Sequence, residues 1–442
     1  MEYTKSEIKK IIKDEDIKFI RLHFADIFGV LKSVTITPSQ LDKALDDKIM
    51  FDGSSVDGFV RIEESDMRLV PDIKTFLIHP WDQEKGKVAR IICDVYKGDE
   101  PFEGDPRYIL KKAVKKAKDK GFTFNVGPEC EFYLFQTDEK NMPIIDTLYD
   151  HGEYFEVGAN DVGEDARKDI VLTLEKMGFE IEASHHECGP SQHEIDFKYD
   201  EAVKSADNII TFKYAVKKIA AKHNLYASFL PKPLFGEAGN GMHLNMSLVK
   251  NGKNAFLDEK NSKGLSKNAF YFMGGIMKHI DAMTLITNPL INSYKRFVPD
   301  FEAPMYIAWS SQNRSPLIRV PSSRGQSTRI ELRNPDPAAN PYLALAACLE
   351  AGLDGIENKI MPPAPVDKNI FEMSKREITR SGIKTLPANM FEAIQKIEKD
   401  KFILEVLGSH ISEKYISAKK HEWSDYSYQV SDWEMKRYLL KY

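Results

Sequence analysis

Short stretches in which apolar and polar residues alternate are the most regular pattern in the first hundred residues. Residues 20–24 alternate in this way, and so do residues 33–36. A period of two places successive side chains on opposite faces of a sheet, so both stretches predict strands, preceded by a short helix. Turn-forming and charged residues then cluster at 96–106. We therefore expect a small α+β domain over residues 1–100 and one large domain over residues 101–442.

Helix signals follow directly after that cluster. Asp105 suits the N-cap, Pro106 suits the first helical position, and Gly121 suits the residue that ends a helix, which predicts a helix over 107–120. Further helices are predicted at 167–177, 202–223, 268–287 and 341–353.

Four alternating stretches of the large domain carry chemically reactive polar faces. These faces hold Glu129 and Glu131; His243, Asn245 and Ser247; Arg329, Glu331 and Arg333; and, in a predicted hairpin over 181–196, Glu187 and Glu194. Each stretch alone could be an ordinary amphipathic strand with a solvated face. A solvated face in this chain would be expected to use lysine, which supplies 47 of the 62 basic residues. Faces built mainly of glutamate, histidine and arginine indicate a site instead.

Carboxylates two residues apart on a strand repel each other unless a cation lies between them. If the four faces converge, they supply carboxylate oxygens and one histidine nitrogen, a set that suits Mg²⁺ or Mn²⁺ better than structural zinc. Five carboxylates are too many for one Mg²⁺, so two or more ions are predicted. The predicted ligands are Glu129, Glu131, Glu187, Glu194, Glu331 and His243. A histidine such as His243, taken alone, is more often a core histidine than a ligand, and His185, His186 and His193 are assigned to the surroundings of the ligands or to a structural role.

Composition excludes several classes of protein. The 442 residues carry a formal charge of −5, and 42% of them are hydrophobic. This balance argues against binding to nucleic acid through net positive charge and against wholesale disorder. No apolar run approaches the roughly 18 residues that span a bilayer, no signal-peptide pattern is evident, and the four cysteines are too scattered for a zinc knuckle or a disulfide framework. We expect a cytoplasmic globular protein without nucleic-acid or membrane partners.

Arginine is concentrated in one segment. Six of the 15 arginines fall within 296–333. A guanidinium binds carboxylate or phosphate at two points, although an arginine-rich surface helix is the alternative explanation. A metal cluster combined with an arginine cluster is what phosphoryl transfer requires. The sequence contains neither a P-loop nor a Rossmann glycine pattern, so any nucleotide site is of another type.

These residues resemble the type I glutamine synthetases over essentially the whole chain. The matching stretches are 51–55, 127–132, 192–194, 231–233, 241–243, 292–296, 313–315 and 333–342. The resemblance implies an α+β protein with a small β-grasp-like N-terminal domain and a large α/β catalytic domain whose antiparallel sheet lines the active-site channel. It also implies a homo-oligomer, a dodecamer of two stacked hexamers with active sites shared between neighbouring subunits.

The implied reaction is the ATP-dependent ligation of ammonia to the γ-carboxylate of L-glutamate through γ-glutamyl phosphate. The resemblance implies one metal held by Glu131, Glu187 and Glu194, and another held by Glu129, His243 and Glu331. Arg296, Arg333 and Gly239 would bind glutamate, and Arg314 and Arg319 would offset the charge on the transferred phosphoryl group. Glu182, Ser247 and Arg329 fall at the family's nucleotide positions.

The remaining implied roles concern ammonium and water. Asp52, from a neighbouring subunit, would deprotonate ammonium in a pocket completed by Ser55, Tyr154, Glu187 and Glu302, and Glu302 would also belong to a closing flap. Taken alone, Asp52 would pass for a turn residue and Glu302 for a loop charge.

Two departures from the family concern binding and regulation. The asparagine expected to help bind glutamate is replaced by Ala238, and a local shift could let Asn240 substitute for it. The tyrosine that is adenylylated in one subtype is replaced by Phe371 within 368–371, so adenylylation there is chemically impossible. The chain instead resembles the alpha subtype, in which an arginine matching Arg61 senses glutamine, although Arg61 could also be a surface charge beside two glutamates.

Two competing functions remain open at this point. One is the same chemistry with another amine, as in the γ-glutamylpolyamine or γ-glutamylmethylamide synthetases, which the matches at Asp52, Tyr154 and Glu302 disfavour. The other is a non-catalytic sensor or structural relative, which would be expected to have lost metal ligands. Nitrogen-regulatory proteins are candidate partners that the sequence does not resolve.

Overall fold

Two separate apolar cores divide the chain in the computed structural model, which describes residues 3–59, 66–81, 85–298, 303–311, 316–368 and 370–442. The smaller core runs from Ile8 to Phe102. The larger core takes in most of the chain after it, together with a few residues of the N-terminal part such as Ile27 and Trp81. The predicted boundary at residue 100 thus lies close to the end of the smaller core.

The N-terminal domain is a six-stranded sheet packed against two helices. Its described elements are α1 (Lys5–Asp14), β1 (Ile17–Ala25), β2 (Leu31–Ile36), α2 (Leu41–Leu45), β3 (Ile49–Asp52), β4 (Asp66–Ile78), β5 (Lys87–Lys97) and β6 (Glu100–Pro101). The strand order is β2-β1-β5-β4-β3, with β1 and β5 parallel and β6 paired to β5. A capping box between Thr4 and Glu7 starts α1, which buries Ile8 and Ile12. The strands predicted at 20–24 and 33–36 are confirmed as β1 and β2, and this domain is the expected β-grasp fold.

The large domain is a mixed α/β unit built around a second, larger sheet. Its elements are α3 (Pro106–Asp119), β7 (Thr123–Gln136), α4 (Glu164–Lys176), β8 (Ile181–His186), β9 (Gln192–Phe197), β10 (Asp200–Glu201), α5 (Ala202–Lys222), β11 (Leu225–Ser228), β12 (Met242–Lys250), β13 (Lys253–Asn254), α6 (Lys267–Thr287), β14 (Tyr306–Ser310), β15 (Pro316–Arg319), β16 (Ile330–Leu332), α7 (Pro341–Glu357), α8 (Lys375–Arg380), β17 (Lys384–Thr385), α9 (Met390–Ile397), α10 (Lys401–Ser427) and α11 (Asp432–Tyr438).

The order of the main strands, β17-β14-β15-β16-β12-β7-β9-β8, brings the four alternating stretches side by side. One face of this sheet is apolar and packs on the helices. The side chains on this face include Cys130, Phe132, Leu244 and Ile330, which are all fully buried. The five predicted helices are confirmed with ends shifted by a few residues. The first of them begins as expected, since the Asp105 carboxylate accepts the Arg107 N–H at 2.9 Å.

The two domains are joined by a buried cluster of charges. The Arg107 guanidinium on α3 lies 2.7 Å from Asp94 on β5, 2.8 Å from Asp72 on β4 and 2.9 Å from Asp207 on α5. One cation therefore links three carboxylates from both domains. None of the helices in the described ranges combines the length and apolar character that crossing a bilayer requires.

Candidate active site

The polar face of the catalytic sheet gathers carboxylates from neighbouring strands. His243 on β12 lies opposite Glu129 on β7, and Glu131 on β7 lies opposite Glu194 on β9. On the other side of β12, Asn245 lies opposite Glu331 on β16. Because all these positions share one face of an antiparallel sheet, their side chains meet in one place. The hairpin predicted over 181–196 is confirmed as β8 and β9.

One candidate metal group consists of Glu129, His243 and Glu331, whose ligand atoms all lie within 4.8 Å of one another. His243 Nδ1 is 3.2 Å from Glu129 Oε2 and 4.0 Å from Glu331 Oε1. Arg319 and Arg333 both donate to the Glu331 carboxylate, which is 1% exposed. The three residues that the sequence assigned to one ion thus lie together.

A second candidate group consists of His185, Glu187 and Glu194. The two nitrogens of His185 lie 3.6 Å from Glu187 and 3.7 Å from Glu194. Glu131, which the sequence grouped with the two glutamates, lies across the strand pair from Glu194. Its carboxylate accepts the Gly241 N–H at 2.7 Å and a Gln192 amide hydrogen at 3.1 Å.

The metal-free carboxylates differ strongly in how easily they ionise. Burial alone would raise the pKa of Glu129, but His243 and Asn245 donate to its carboxylate and lower the pKa to about 2. Burial raises the pKa of Glu131, and the negative charge of Glu187 acts in the same direction. Burial and then the charges of Asp196 and Glu131 raise the pKa of Glu194. Ionising Glu131 and Glu194 together is therefore unfavourable unless a cation lies between them.

The donor set and the space around it fit divalent cations. Carboxylate oxygens with one or two imidazoles are ligands that Mg²⁺ and Mn²⁺ accept. The backbone of Gly241 enters this face so closely that a Cβ there would lie 2.6 Å from Arg296, 3.0 Å from His243 and 3.3 Å from Glu131. Glycine is thus the residue that leaves room between the arginine and the ligands.

The two arginines expected to bind glutamate are buried beside this face. Arg296 and Arg333 are each 4% exposed. Arg296 donates to the carbonyls of Asn334, at 2.9 Å, and Arg333, at 3.3 Å. Gly239 packs against the Arg296 side chain, since a Cβ on it would lie 3.0 Å from Arg296 Cγ. Backbone carbonyls thus orient this guanidinium in the absence of substrate.

A cavity of about 390 Å³ opens next to Glu129, and Glu182, Ser247 and Arg329 all line it. Arg329 Nε donates to the Asn245 side chain at 2.9 Å, and Asn245 in turn donates to Glu129 at 2.8 Å. Hydrogen bonds therefore connect the predicted nucleotide residues to the first candidate metal group.

The predicted ammonium residues lie on different parts of the chain. Asp52 ends β3 in the N-terminal domain, where its carboxylate accepts the N–H of Ser54 at 2.8 Å, and Ser55 follows it in the same short turn. Tyr154 is 41% exposed, and its ring lies 5.7 Å from the ring of His185. Four other sequence assignments, to Arg61, Glu302, Arg314 and residue 369, lie outside the described residues.

The suggestion that Asn240 replaces the missing asparagine is wrong for this structure. Asn240 is 0% exposed, and its amide donates to the Leu230 carbonyl at 2.8 Å while its oxygen accepts from Gln192 at 3.2 Å. Both ends of the amide are occupied inside the protein.

Phe371 lies near Tyr306, with ring centroids 5.8 Å apart.

Sequence reasoning assigned His185 only to the surroundings of the ligands and missed two other residues, Asp196 and Asp150. Asp196 lies two residues after Glu194, so the alternation that found the glutamates could have found it. Asp150 lies in a loop and is 0% exposed, and no sequence pattern marked it.

Comparison with known proteins identifies one family. Residues 16–98 match the family model described as glutamine synthetase, beta-Grasp domain, and residues 103–438 match glutamine synthetase, catalytic domain. A glutamine synthetase of Clostridium saccharobutylicum is 56% identical over 441 residues, which covers 100% of this chain and 99% of the relative. A glutamine synthetase of Staphylococcus aureus strain MW2 is 56% identical over 442 residues, with the same coverage.

Solved structures agree with this assignment. A complex of GmaS with ADP superposes with a TM-score of 0.89 at 29% identity, covering 99% of this chain and 100% of that chain. A cryo-EM structure of Plasmodium falciparum glutamine synthetase superposes with a TM-score of 0.87 at 27% identity, covering 99% of each chain.

Proposed function

The chain belongs to the glutamine synthetase family, and from this premise we propose how its residues carry out the ATP-dependent formation of glutamine from glutamate and ammonia. The observation that carries the proposal is the convergence of two carboxylate groups from adjacent strands next to two buried arginines. Phosphoryl transfer to a carboxylate needs this combination, because both reactants are anions and repel each other without cations between them.

Two divalent cations, Mg²⁺ or Mn²⁺, are proposed to bind at the two groups. Glu129, His243 and Glu331 would hold one ion, and Glu131, Glu187 and Glu194 would hold the other, with His185 close enough to contribute. When bound, these ions neutralise charge on the ATP phosphates and on the glutamate γ-carboxylate.

The substrates are proposed to lie on opposite sides of the ligands. ATP would occupy the cavity lined by Glu182, Ser247 and Arg329. Glutamate would lie on the side of Arg296, Arg333 and Gly239. The buried guanidiniums of the two arginines can pair with its carboxylates.

In the first step, the glutamate γ-carboxylate attacks the γ-phosphate of ATP, which forms γ-glutamyl phosphate and ADP. Arg319, which already contacts Glu331, and Arg314 would stabilise the transferred phosphoryl group. In the second step, ammonia displaces phosphate and forms glutamine. Asp52 of a neighbouring subunit would take the proton from ammonium, in a pocket formed with Ser55 and Tyr154, and Glu302 would shield the acyl phosphate from water.

The assembly, location and regulation of the enzyme belong to the proposal as well. A dodecamer of two stacked hexamers in the cytoplasm would let Asp52 of one subunit complete the site of the next. We expect Arg61→Ala to weaken inhibition by glutamine while basal turnover stays largely intact. Inhibition curves that coincide for the two proteins would refute a regulatory role for Arg61.

The test is an assay of ADP release and glutamine formation with glutamate, ATP and either ammonia, methylamine or a polyamine, each with Mg²⁺ and with Mn²⁺. Ammonia should give the highest kcat/KM by at least about tenfold, since larger amines need the space of the proposed ammonium pocket. A higher kcat/KM with methylamine or a polyamine would instead support the related ligation of that amine to glutamate.

A further inference from the structure

Asp150, His186 and His193 form a fully buried cluster behind the metal-binding face. All three side chains are 0% exposed. Asp150 Oδ1 lies 2.8 Å from His186 Nε2, and Asp150 Oδ2 lies 3.9 Å from His193 Nε2. The residues that follow the two histidines, Glu187 and Glu194, are both proposed metal ligands. The cluster is therefore placed to influence the site without touching substrate.

The cluster has the residue types of a transition-metal site, but Arg167 argues against one. Its Nη1 lies 2.9 Å from His193 Nδ1. A guanidinium only donates, so Nδ1 must accept, and the proton of the neutral ring then resides on Nε2. A protonated Nε2 does not bind a metal. The backbone of Gly163 also lies against this atom, since a Cβ at Gly163 would be 2.5 Å from it.

The Asp150 carboxylate holds the loop that carries Tyr154. One oxygen accepts the N–H of Gly152 at 2.9 Å, and the other accepts the N–H of Gly163 at 3.1 Å. These two glycines flank residues 153–162. One buried carboxylate thus closes the loop at both ends.

His186 connects that loop to the ligand hairpin. Its Nδ1 lies 2.7 Å from the carbonyl oxygen of Glu187, at the end of β8. Its own carbonyl accepts the N–H of Phe155 at 3.1 Å, and Phe155 stacks on Tyr154 with ring centroids 4.0 Å apart. The imidazole and the backbone of His186 therefore hold both Glu187, the proposed metal ligand, and the loop of Tyr154, the proposed ammonium-pocket residue.

We propose that Asp150 is a positioning residue, which fixes the orientation of Glu187 through His186 and the position of Tyr154 through the loop. The inference rests on the proposed function, because it assigns Glu187 to a metal and Tyr154 to the ammonium pocket. Buried partners that orient the residues of a metal site typically change metal affinity or activity by 10–100-fold when they are replaced.

The test compares the wild-type protein with Asp150→Asn. Asparagine keeps the size of the side chain but has only one acceptor oxygen. It therefore cannot accept hydrogen bonds from both His186 and the N–H of Gly163 on opposite oxygens. Bound Mn²⁺ is measured from the electron paramagnetic resonance signal of free Mn²⁺. We expect one of two sites to bind Mn²⁺ about tenfold more weakly, and the KM for ammonium to rise while the KM for glutamate stays within about twofold.

Asp207→Asn is the matched control, because Asp207 is also a buried carboxylate but pairs with Arg107 at the domain junction. It should lower the midpoint of thermal unfolding and leave Mn²⁺ binding unchanged. If Asp150→Asn also lowered only the unfolding midpoint, with unchanged Mn²⁺ binding and an unchanged KM for ammonium, Asp150 would be merely structural and the inference would be overturned.

A second measurement uses the wild-type protein, so it does not depend on the variant folding. Hydrogen exchange followed by mass spectrometry should show that Mn²⁺ protects peptides covering 150–163 as well as those covering 186–194, since the two segments are linked. Protection of 186–194 alone would overturn the link. A protein that shows the expected changes in Mn²⁺ binding and in hydrogen exchange and yet forms no glutamine would contradict the proposed function, and the link from Asp150 to the Glu187 segment would still stand.

Discussion

Two clusters of acidic residues in this protein differ in the partners of their carboxylates. At the domain junction, Asp72, Asp94 and Asp207 surround Arg107, and Lys111 lies 2.6 Å from Asp94, so the chain itself supplies two cations. On the catalytic sheet, Glu131 and Glu194 lie opposite each other, and the hydrogen-bond donors to Glu131 are a backbone N–H and a side-chain amide. Each carboxylate of the first cluster thus contacts a guanidinium, whereas the carboxylates of the second cluster face each other.

The pKa shifts follow this difference. Burial would raise the pKa of Asp72, but the hydrogen bond and charge of Arg107 outweigh it and lower the pKa. Burial and neighbouring carboxylates raise the pKa of Glu131 and Glu194 instead. The acidic cluster with its own guanidinium joins the two domains, whereas the cluster whose carboxylates repel each other is the one that we propose to bind metal ions.

The largest expected effect comes from removing a carboxylate of the catalytic cluster. Glu131→Ala should lower metal-dependent ADP release by more than about 100-fold, because replacing even an outer partner of a metal site costs 10–100-fold. The midpoint of thermal unfolding should change little, since the substitution also relieves repulsion. Full activity of this variant would refute the assignment of Glu131 as a ligand.

The opposite outcome is expected at the junction. Arg107→Ala removes the guanidinium that three carboxylates share and should destabilise the protein by about 3–5 kcal/mol, measured by thermal or denaturant unfolding. Mn²⁺ binding per folded molecule should stay near the wild-type value. Arg107→Lys, which keeps the charge but loses the fork, should recover part of the stability. Unchanged stability of Arg107→Ala would show that the junction does not depend on its guanidinium.

Removing the metal should destabilise the catalytic domain. At a free Mn²⁺ concentration 100 times the dissociation constant, binding contributes about 2.7 kcal/mol per site. The unfolding midpoint should therefore fall when a chelator is added and rise again when excess Mn²⁺ is restored. The same experiment with Glu131→Ala should show a smaller shift, and an equal shift in both proteins would count against the cluster as the metal site.

The smallest expected effect is a pH dependence at the junction. Burial and the charge of Asp94 raise the pKa of Asp105 to about 7, from its ordinary value of 3.8. The native state then holds a proton that the unfolded state has lost, so this contribution to stability is present below about pH 4 and is lost as the pH rises through 7. The stability advantage of the wild-type protein over Asp105→Asn should shrink by about 1 kcal/mol between pH 5 and pH 6. A stability advantage of the wild-type protein that grew as the pH rose would contradict the raised pKa of Asp105.

Periodicity in the sequence was sufficient for most of the fold and for bringing together the residues proposed as metal ligands. Alternation identified β7, β12, β16 and the β8–β9 hairpin, because a strand with one buried face must repeat every two residues. The same rule placed Glu129, Glu187 and His243 on the polar faces. The resemblance then supplied the roles of the arginines, which spacing alone left open.

The remaining features depend on contacts that no local pattern encodes. Asp150 is separated by 36 residues from His186, its partner, and lies in a loop without periodicity. Arg107 was placed on its helix by the sequence, but its three carboxylates come from two sheet strands and another helix. The side chain of Asn240 turned inward because Gln192 and the Leu230 carbonyl offered partners for both ends of its amide.

The most direct test of this account is a crystal structure of the protein with Mn²⁺ and an ATP analogue, with the ions located by their anomalous scattering. We predict two peaks per subunit, one among Glu129, His243 and Glu331 and the other beside Glu187 and Glu194, with the nucleotide in the cavity lined by Ser247 and Arg329. Nucleotide bound there without a peak at either group, or Mn²⁺ bound at the domain junction instead, would contradict it.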